Sequence, residues 1–287
     1  MKRILSVVVA VAASTAGHIV LWINGATSLL LTGEGLETSP LAVVGTTVGV
    51  LLVGVAMLTV VWSSLGVLVI GTLHVLVGLT VGLPFALSPM AQFSRALFRV
   101  SRELSFGMDY TTLTGVVLLT GAIFVAAGLV ARRARAVGTS ATGALAAIVG
   151  VILGVAGLLV GLAGGYLNFR RIFAFAAGID PVAFALLLVG AVLLAAAVLS
   201  ARWSVIGLVV LGALVVLLGI LQVATRFMFE LPRVEGVLES FDNASLLGNV
   251  QLIGVLLIAA GVGVWLRARR MPAAPTLLAP GEPAAVV

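Results

Sequence analysis

Residues 109–128 read DYTTLTGVVLLTGAIFVAAG, and residues 242–261 read DNASLLGNVQLIGVLLIAAG. At a shift of 133, nine of these twenty positions are identical: Asp109/Asp242, Leu113/Leu246, Gly115/Gly248, Val117/Val250, Leu119/Leu252, Gly121/Gly254, Ala126/Ala259, Ala127/Ala260 and Gly128/Gly261. Each copy is apolar over a length that can cross a bilayer, and each is followed by an arginine cluster. The stretch reads as the last helix of a duplicated membrane unit.

The likeness extends upstream. At a shift of 141, residues 40–81 match 181–222, with Pro40/Pro181, Gly49/Gly190, Trp62/Trp203, Ser63/Ser204, Gly66/Gly207, Gly71/Gly212 and Gly78/Gly219 among the identities. The shift falls to 133 in the loop before the fourth helix, so that loop is longer in the first copy. The first helix of each unit matches only weakly.

Composition agrees. Of 287 residues 62% are hydrophobic and 9% charged, where a soluble domain is usually about one quarter charged. So little polar surface cannot coat a water-soluble globule, and the solvent must be lipid. The net charge of +6 is scattered over short segments between apolar runs. It sets topology and gives no nucleic-acid surface. The absence of cysteine excludes disulfides, thiolate metal sites and cysteine nucleophiles. Fifteen arginines to one lysine, with Ala, Val, Gly and Leu dominant, fit a high-GC bacterial genome.

Apolar runs of about twenty residues, the length a hydrocarbon core demands, fall at 4–31, 41–61, 64–84, 111–131, 142–167, 182–200, 203–224 and 244–266. The first resembles a secretory signal after Lys2 and Arg3, with Ser14-Thr15-Ala16 as a cleavage site. Its run to Leu31 is too long for one, so it reads as an uncleaved first span. The expected fold is an all-α integral membrane protein of eight transmembrane helices in two tandem four-helix units. The units are 1–136 and 137–270, with a disordered cytoplasmic tail at 271–287. Four helices per unit give both units one orientation, a parallel repeat about a pseudo-two-fold along the membrane normal.

Placing the N-terminus inside leaves nine basic residues in cytoplasmic segments and seven outside, the inner ones crowded at helix ends. The expected location is therefore a bacterial cytoplasmic membrane, with both termini cytoplasmic. Met90, Phe93, Leu97, Val100 and Leu104 recur at spacings of three and four, which predicts an amphipathic interfacial helix over 89–106. A counterpart is expected at 231–241, carrying Leu231, Arg233, Val234 and Leu238.

Residues able to do chemistry are few. No Asp, Glu, Lys or Arg sits near the middle of a span, and no nucleotide-loop, metalloprotease or serine-hydrolase motif is present. His18 and His74 stand at the midpoints of the first and third spans. They form a candidate midplane polar pair, for proton sharing, a metal or axial haem ligation. Interhelical hydrogen bonding is the favoured reading, with no metal, haem or other cofactor expected. The second unit has Val215 in place of His74, and Leu158 or Leu159 in place of His18.

Arg95, Arg99, Arg102, Arg233, Asp109 and Asp242 are candidate outer-face contacts to lipid headgroups or a partner. An Arg99–Asp109 ion pair is expected to hold the interfacial helix to the fourth span. Asn24, Gln222 and Gln251 are candidates for lining a vestibule. Glycines seven apart, as in Gly71/Gly78 and Gly121/Gly128, predict close helix packing. The expected function is that of a non-enzymatic accessory or scaffold subunit of an envelope assembly, with membrane lipids and a membrane-protein partner. The alternative is a small-molecule or lipid transporter working at the interface between the repeats.

Overall fold

The computed structural model describes residues 2–33, 39–83, 89–133, 141–173, 180–225, 244–245 and 247–270. The expected interfacial helix at 231–241, with Arg233 and Asp242, and the tail at 271–287 lie outside these. The described chain is helical, with no strand among the described residues. The helices are α1 (Lys2–Gly33), α2 (Pro40–Leu58), α3 (Ser64–Leu79), α4 (Pro89–Phe98), α5 (Arg102–Leu113), α6 (Val116–Arg133), α7 (Ala141–Phe173), α8 (Pro181–Leu199), α9 (Ile206–Thr225) and α10 (Asn249–Arg270). All but α4 and α5 are long and apolar enough to cross a membrane, which makes eight spans. The chain is a multi-pass membrane protein.

Local chemistry sets the helix ends. Pro40 and Pro181 occupy first turns, where a missing N–H costs little. Asp180 caps α8 by accepting from the N–H groups of Val182 (2.9 Å) and Ala183 (3.1 Å). At the far ends of α2 and α8, Thr59 Oγ1 donates to the Ala56 carbonyl (2.7 Å) and Ser200 Oγ to that of Ala197 (2.6 Å). These hydroxyls satisfy carbonyls that water cannot reach in lipid. A single 3-10 turn then leads through Trp62 or Trp203 into α3 or α9.

Two of the spans start five residues later than hydropathy places them. The runs beginning at 111 and 244 are helical membrane spans only from Val116 and Asn249. The cause is backbone: Gly115 has φ +73° and Gly248 φ +74°, a left-handed conformation that side-chain-bearing residues avoid. Each closes a turn, Gly115 N–H on the Thr112 carbonyl and Gly248 N–H on that of Ser245, before the new helix begins.

The expected single interfacial helix over 89–106 is also corrected, because the chain breaks at Ser101. That residue is extended, with φ −153° and ψ 125°, and its Oγ accepts the Leu104 N–H at 3.1 Å. An N-cap starts a new helix, and this one overrides the apolar periodicity that runs across it. The result is a hairpin: α4 folds back on α5.

At the centre stand α6 and α10. In their apolar cores 72% and 67% of residues are buried, against 33–39% for the other six spans. The α3–α6 contact is knit by the predicted glycines. A Cβ on Gly121 would stand 2.7 Å from the Val75 nitrogen, and one on Gly78 2.6 Å from Leu118 Cα. Gly212 and Gly254 do the same for α9–α10, each against the other's carbonyl. The α1–α2 pair crosses over to the second half of the chain: α2 packs on α10, and Gly25 of α1 meets the Leu247 backbone. The α7–α8 pair crosses to the first half: α8 packs on α6, and Gly165 of α7 meets the Thr114 backbone.

Candidate functional site

His18 of α1 and His74 of α3 meet where α1, α3 and α6 converge. Their rings pack edge to face with centroids 4.8 Å apart. His18 is 4% exposed, and His74 is half-buried. The His18 Nδ1 lies 2.8 Å from the Ser14 carbonyl, so Nδ1 carries the proton and donates. The remaining nitrogen, Nε2, is then an acceptor, and it is buried without a partner. Thr120 Oγ1 donates to the Val117 carbonyl at 3.0 Å, which leaves its lone pairs to accept from His74 Nδ1 at a long 3.4 Å. Trp22 leans on His18 (5.5 Å) and Phe124 stands edge-on to His74 (5.7 Å), so aromatic rings close the cluster on both sides.

The α1–α2 and α7–α8 contacts share a close glycine approach. A Cβ on Gly17 would stand 2.8 Å from the Gly49 carbonyl oxygen, and one on Gly157 3.0 Å from that of Gly190. Gly17 thus occupies in the α1–α2 contact the place Gly157 holds in α7–α8. Leu158 follows Gly157 as His18 follows Gly17.

Chemically the pair offers a buried, unpartnered imidazole lone pair at His18 Nε2. Among the described residues no group of three or more His, Cys, Asp or Glu comes together to hold a metal ion. Rings in direct contact leave no gap between them for a porphyrin, whose iron would need one imidazole on each face.

The other sequence candidates are dispersed. Asn24 Nδ2 donates to the Val20 carbonyl one turn back (2.8 Å), and its side chain packs on Gly45 in the α1–α2 contact. Gln251 lies against Gly219 in the α9–α10 contact, with its Oε1 buried and unpartnered. Gln222 is half-buried one turn beyond Gly219 on α9. Arg95, Arg99 and Arg102 are exposed on the α4–α5 hairpin.

The expected Arg99–Asp109 ion pair is not formed. The Ser94 hydroxyl donates to Asp109 Oδ2, while Ser105 Oγ lies 2.8 Å from Ser94 Oγ and 3.1 Å from its carbonyl. The break at Ser101 explains the exchange, since folding α4 back on α5 brings Ser94 over Asp109 and leaves Arg99 in the exposed turn. Burial raises the Asp109 carboxyl above its ordinary range, and the Ser94 bond partly opposes this.

Sequence reasoning missed Thr120 and the Ser94–Ser105–Asp109 clasp. Asn249, a polar residue that the sequence places near the end of its span, is fully buried at the start of α10 with neither end of its amide partnered. Asn249 follows Gly248, whose position presses on Thr46 of α2, and the Thr46 hydroxyl is likewise buried without a partner.

No protein-family model, no curated protein and no solved structure matches this chain.

Proposed function

We propose that this chain is a non-enzymatic accessory or scaffold subunit of a bacterial envelope assembly, held in the cytoplasmic membrane with both termini inside. It is built as two tandem four-helix units, 1–136 and 137–270, about a pseudo-two-fold along the membrane normal. Support for the repeat comes from contacts that recur in pairs: Gly17 on Gly49 and Gly157 on Gly190, Gly25 on Leu247 and Gly165 on Thr114, and left-handed Gly115 and Gly248. The second helix of each unit packs on the fourth helix of the other, and the first helix meets the turn that opens it.

The observation that carries the scaffold reading is the central α6–α10 seam. Transport between two repeats calls for a polar path at their interface. Here the buried residues of the two helices include Ala126, Ala127, Leu252, Ile253, Leu256 and Ala260, none more than 2% exposed, with Thr120 and Asn249 the buried polar ones. Exposed Trp62 and Trp203, with the arginines ending α6 and α10, mark one interface of the membrane, as aromatic and basic anchors do.

Purification in mild detergent, followed by mass measurement of the intact complex, tests this. The expected result is a defined heteromeric complex of fixed stoichiometry. A lone monomer in every detergent and in nanodiscs, together with solute flux in proteoliposomes, would replace this reading with transport.

A further inference from the structure

The α4–α5 hairpin is the one described region outside the spans that carries a concentrated charge. Its geometry is set from beneath. The Ser94–Ser105–Asp109 clasp ties α4 to α5, and Gly107 of α5 rests on the Trp22 carbonyl of α1. Ser94 and half-buried Leu97 thus define the inward side of α4. Successive helical residues turn by about 100°, so Arg95 falls on the outward crown, and exposed Arg99 follows it in the turn after α4. Phe93 and Phe98 fall on its two flanks, 54% and 59% exposed.

Val100 at the tip is 80% exposed, and Arg102 opens α5 beside it. Among the described residues no carboxylate forms an ion pair with any of the three arginines. The nearest acid in sequence, Glu103, accepts from Ser101 Oγ at 3.0 Å and also feels the charge of Arg102, while Asp109 is committed to Ser94. In the chain the hairpin lies between the end of the α3 span at Gly82 and the start of the α6 span at Val116. It therefore sits at a membrane boundary, on the side opposite both termini.

Apolar aromatic flanks beside an exposed basic crown fit one environment, the junction of acyl chains and headgroups. We propose that the α4–α5 hairpin binds anionic glycerophospholipid. In this arrangement Arg95, Arg99 and Arg102 hold the phosphodiester headgroups, and Phe93 and Phe98 insert beside the upper acyl carbons. Guanidinium groups suit this because their planar donors match phosphate oxygens in pairs. The clasp supplies pre-organisation: the crown is fixed before a lipid arrives, so little ordering cost falls on binding. The site stands independently of whether the chain is a scaffold or a transporter.

The test uses the full-length protein in nanodiscs of phosphatidylcholine with or without phosphatidylglycerol. Lipids retained after transfer to detergent are measured by native mass spectrometry. Wild type is expected to retain phosphatidylglycerol over phosphatidylcholine, with the preference weakening as salt is added. The Arg95→Gln/Arg99→Gln/Arg102→Gln variant should lose about tenfold or more of that preference, from about a factor of five for each basic group near an anionic surface, reduced by screening.

The corresponding triple lysine variant, which keeps the charge, should retain part of the preference and controls for misfolding. Inorganic phosphate added at the same concentration should neither compete nor raise the melting temperature, which separates a lipid site from a free-anion site. Equal retention of the two lipids by wild type, or an unchanged preference in a folded glutamine variant, would overturn the proposal. Competition by inorganic phosphate alone would also overturn it.

Discussion

Gly115→Ala and Gly248→Ala are the substitutions to which this fold should be most sensitive for their size. Both glycines hold left-handed backbone, φ +73° and +74°. Placing an alanine there costs about 1–2 kcal/mol in backbone energy alone. The added methyl also has nowhere to go. On Gly115 it would collide with Cδ2 of Leu187, which is itself fully buried and cannot yield, and on Gly248 with Cγ2 of Thr46.

Overpacking of this kind costs about 1–3 kcal/mol, so each variant should lose about 2–5 kcal/mol. The two sites press on different helices, α8 and α2, so the double variant should show roughly the sum. Reversible unfolding in mixed micelles, followed by tryptophan fluorescence, measures this directly. An alanine at an unstrained helical glycine stabilises by about 0.5–1 kcal/mol. If either variant gains stability by that amount, the left-handed turns at the heads of α6 and α10 are wrong. If one site is sensitive and the other neutral, the equivalence of the two halves fails.

The remaining predictions concern the polar groups. His18→Leu/His74→Val copies into the first half the residues of the second, Leu158 and Val215. It removes a buried unpartnered Nε2, so the double variant should be within about 1 kcal/mol of wild type or more stable. A loss beyond about 3 kcal/mol in the same unfolding assay, or a Soret band in the purified wild type that the variant lacks, would give the pair a role beyond packing. Ser94→Ala strips Asp109 of its donor and should cost about 1.5–3 kcal/mol at neutral pH.

The Asp109 carboxyl is raised from 3.8 by burial, so the folded state holds its proton more tightly than the unfolded state does. Its ionised form therefore penalises folding above the raised value, and that penalty is relieved as the pH falls through it toward 3.8. Asp109→Asn should abolish this component and be neutral or stabilising at pH 7. An Asp109→Asn variant with the same pH profile as wild type would place the titration elsewhere.

The membrane spans were legible because apolar runs of that length admit no other solution in lipid. Their exact heads at α6 and α10 were not, since hydropathy carries no record of φ. Thr111–Thr114 and Ala244–Leu247 are as compatible with a span as with the turn that precedes one. The His18–His74 approach could be read from equal depth on neighbouring helices. Thr120 could not, because its meeting with His74 depends on the rotation of α6 set by Gly71, Gly78 and Gly121. The interfacial reading of 89–106 followed apolar spacing past Ser101, where cap chemistry prevails over periodicity. Once α4 folds back, Ser94 finds Asp109 fifteen residues away, a pairing that no local pattern announces.

The central claim is that the two halves interlock, α2 packing on α10 and α8 on α6. The chain has no cysteine, so pairs can be introduced on a clean background. In Gly54→Cys/Val255→Cys the α2 position faces α10, and in Leu119→Cys/Gly161→Cys the α6 position faces α7. Both pairs touch across the halves, a Cβ on Gly54 standing 2.8 Å from Val255 Cγ1 and one on Gly161 2.9 Å from Leu119 Cδ1. Gly128→Cys/Leu68→Cys joins α3 to α6 within one half and reports folding. Mild oxidation in native membranes should link all three pairs. A link at Gly128→Cys/Leu68→Cys with none at either cross-half pair would contradict the account.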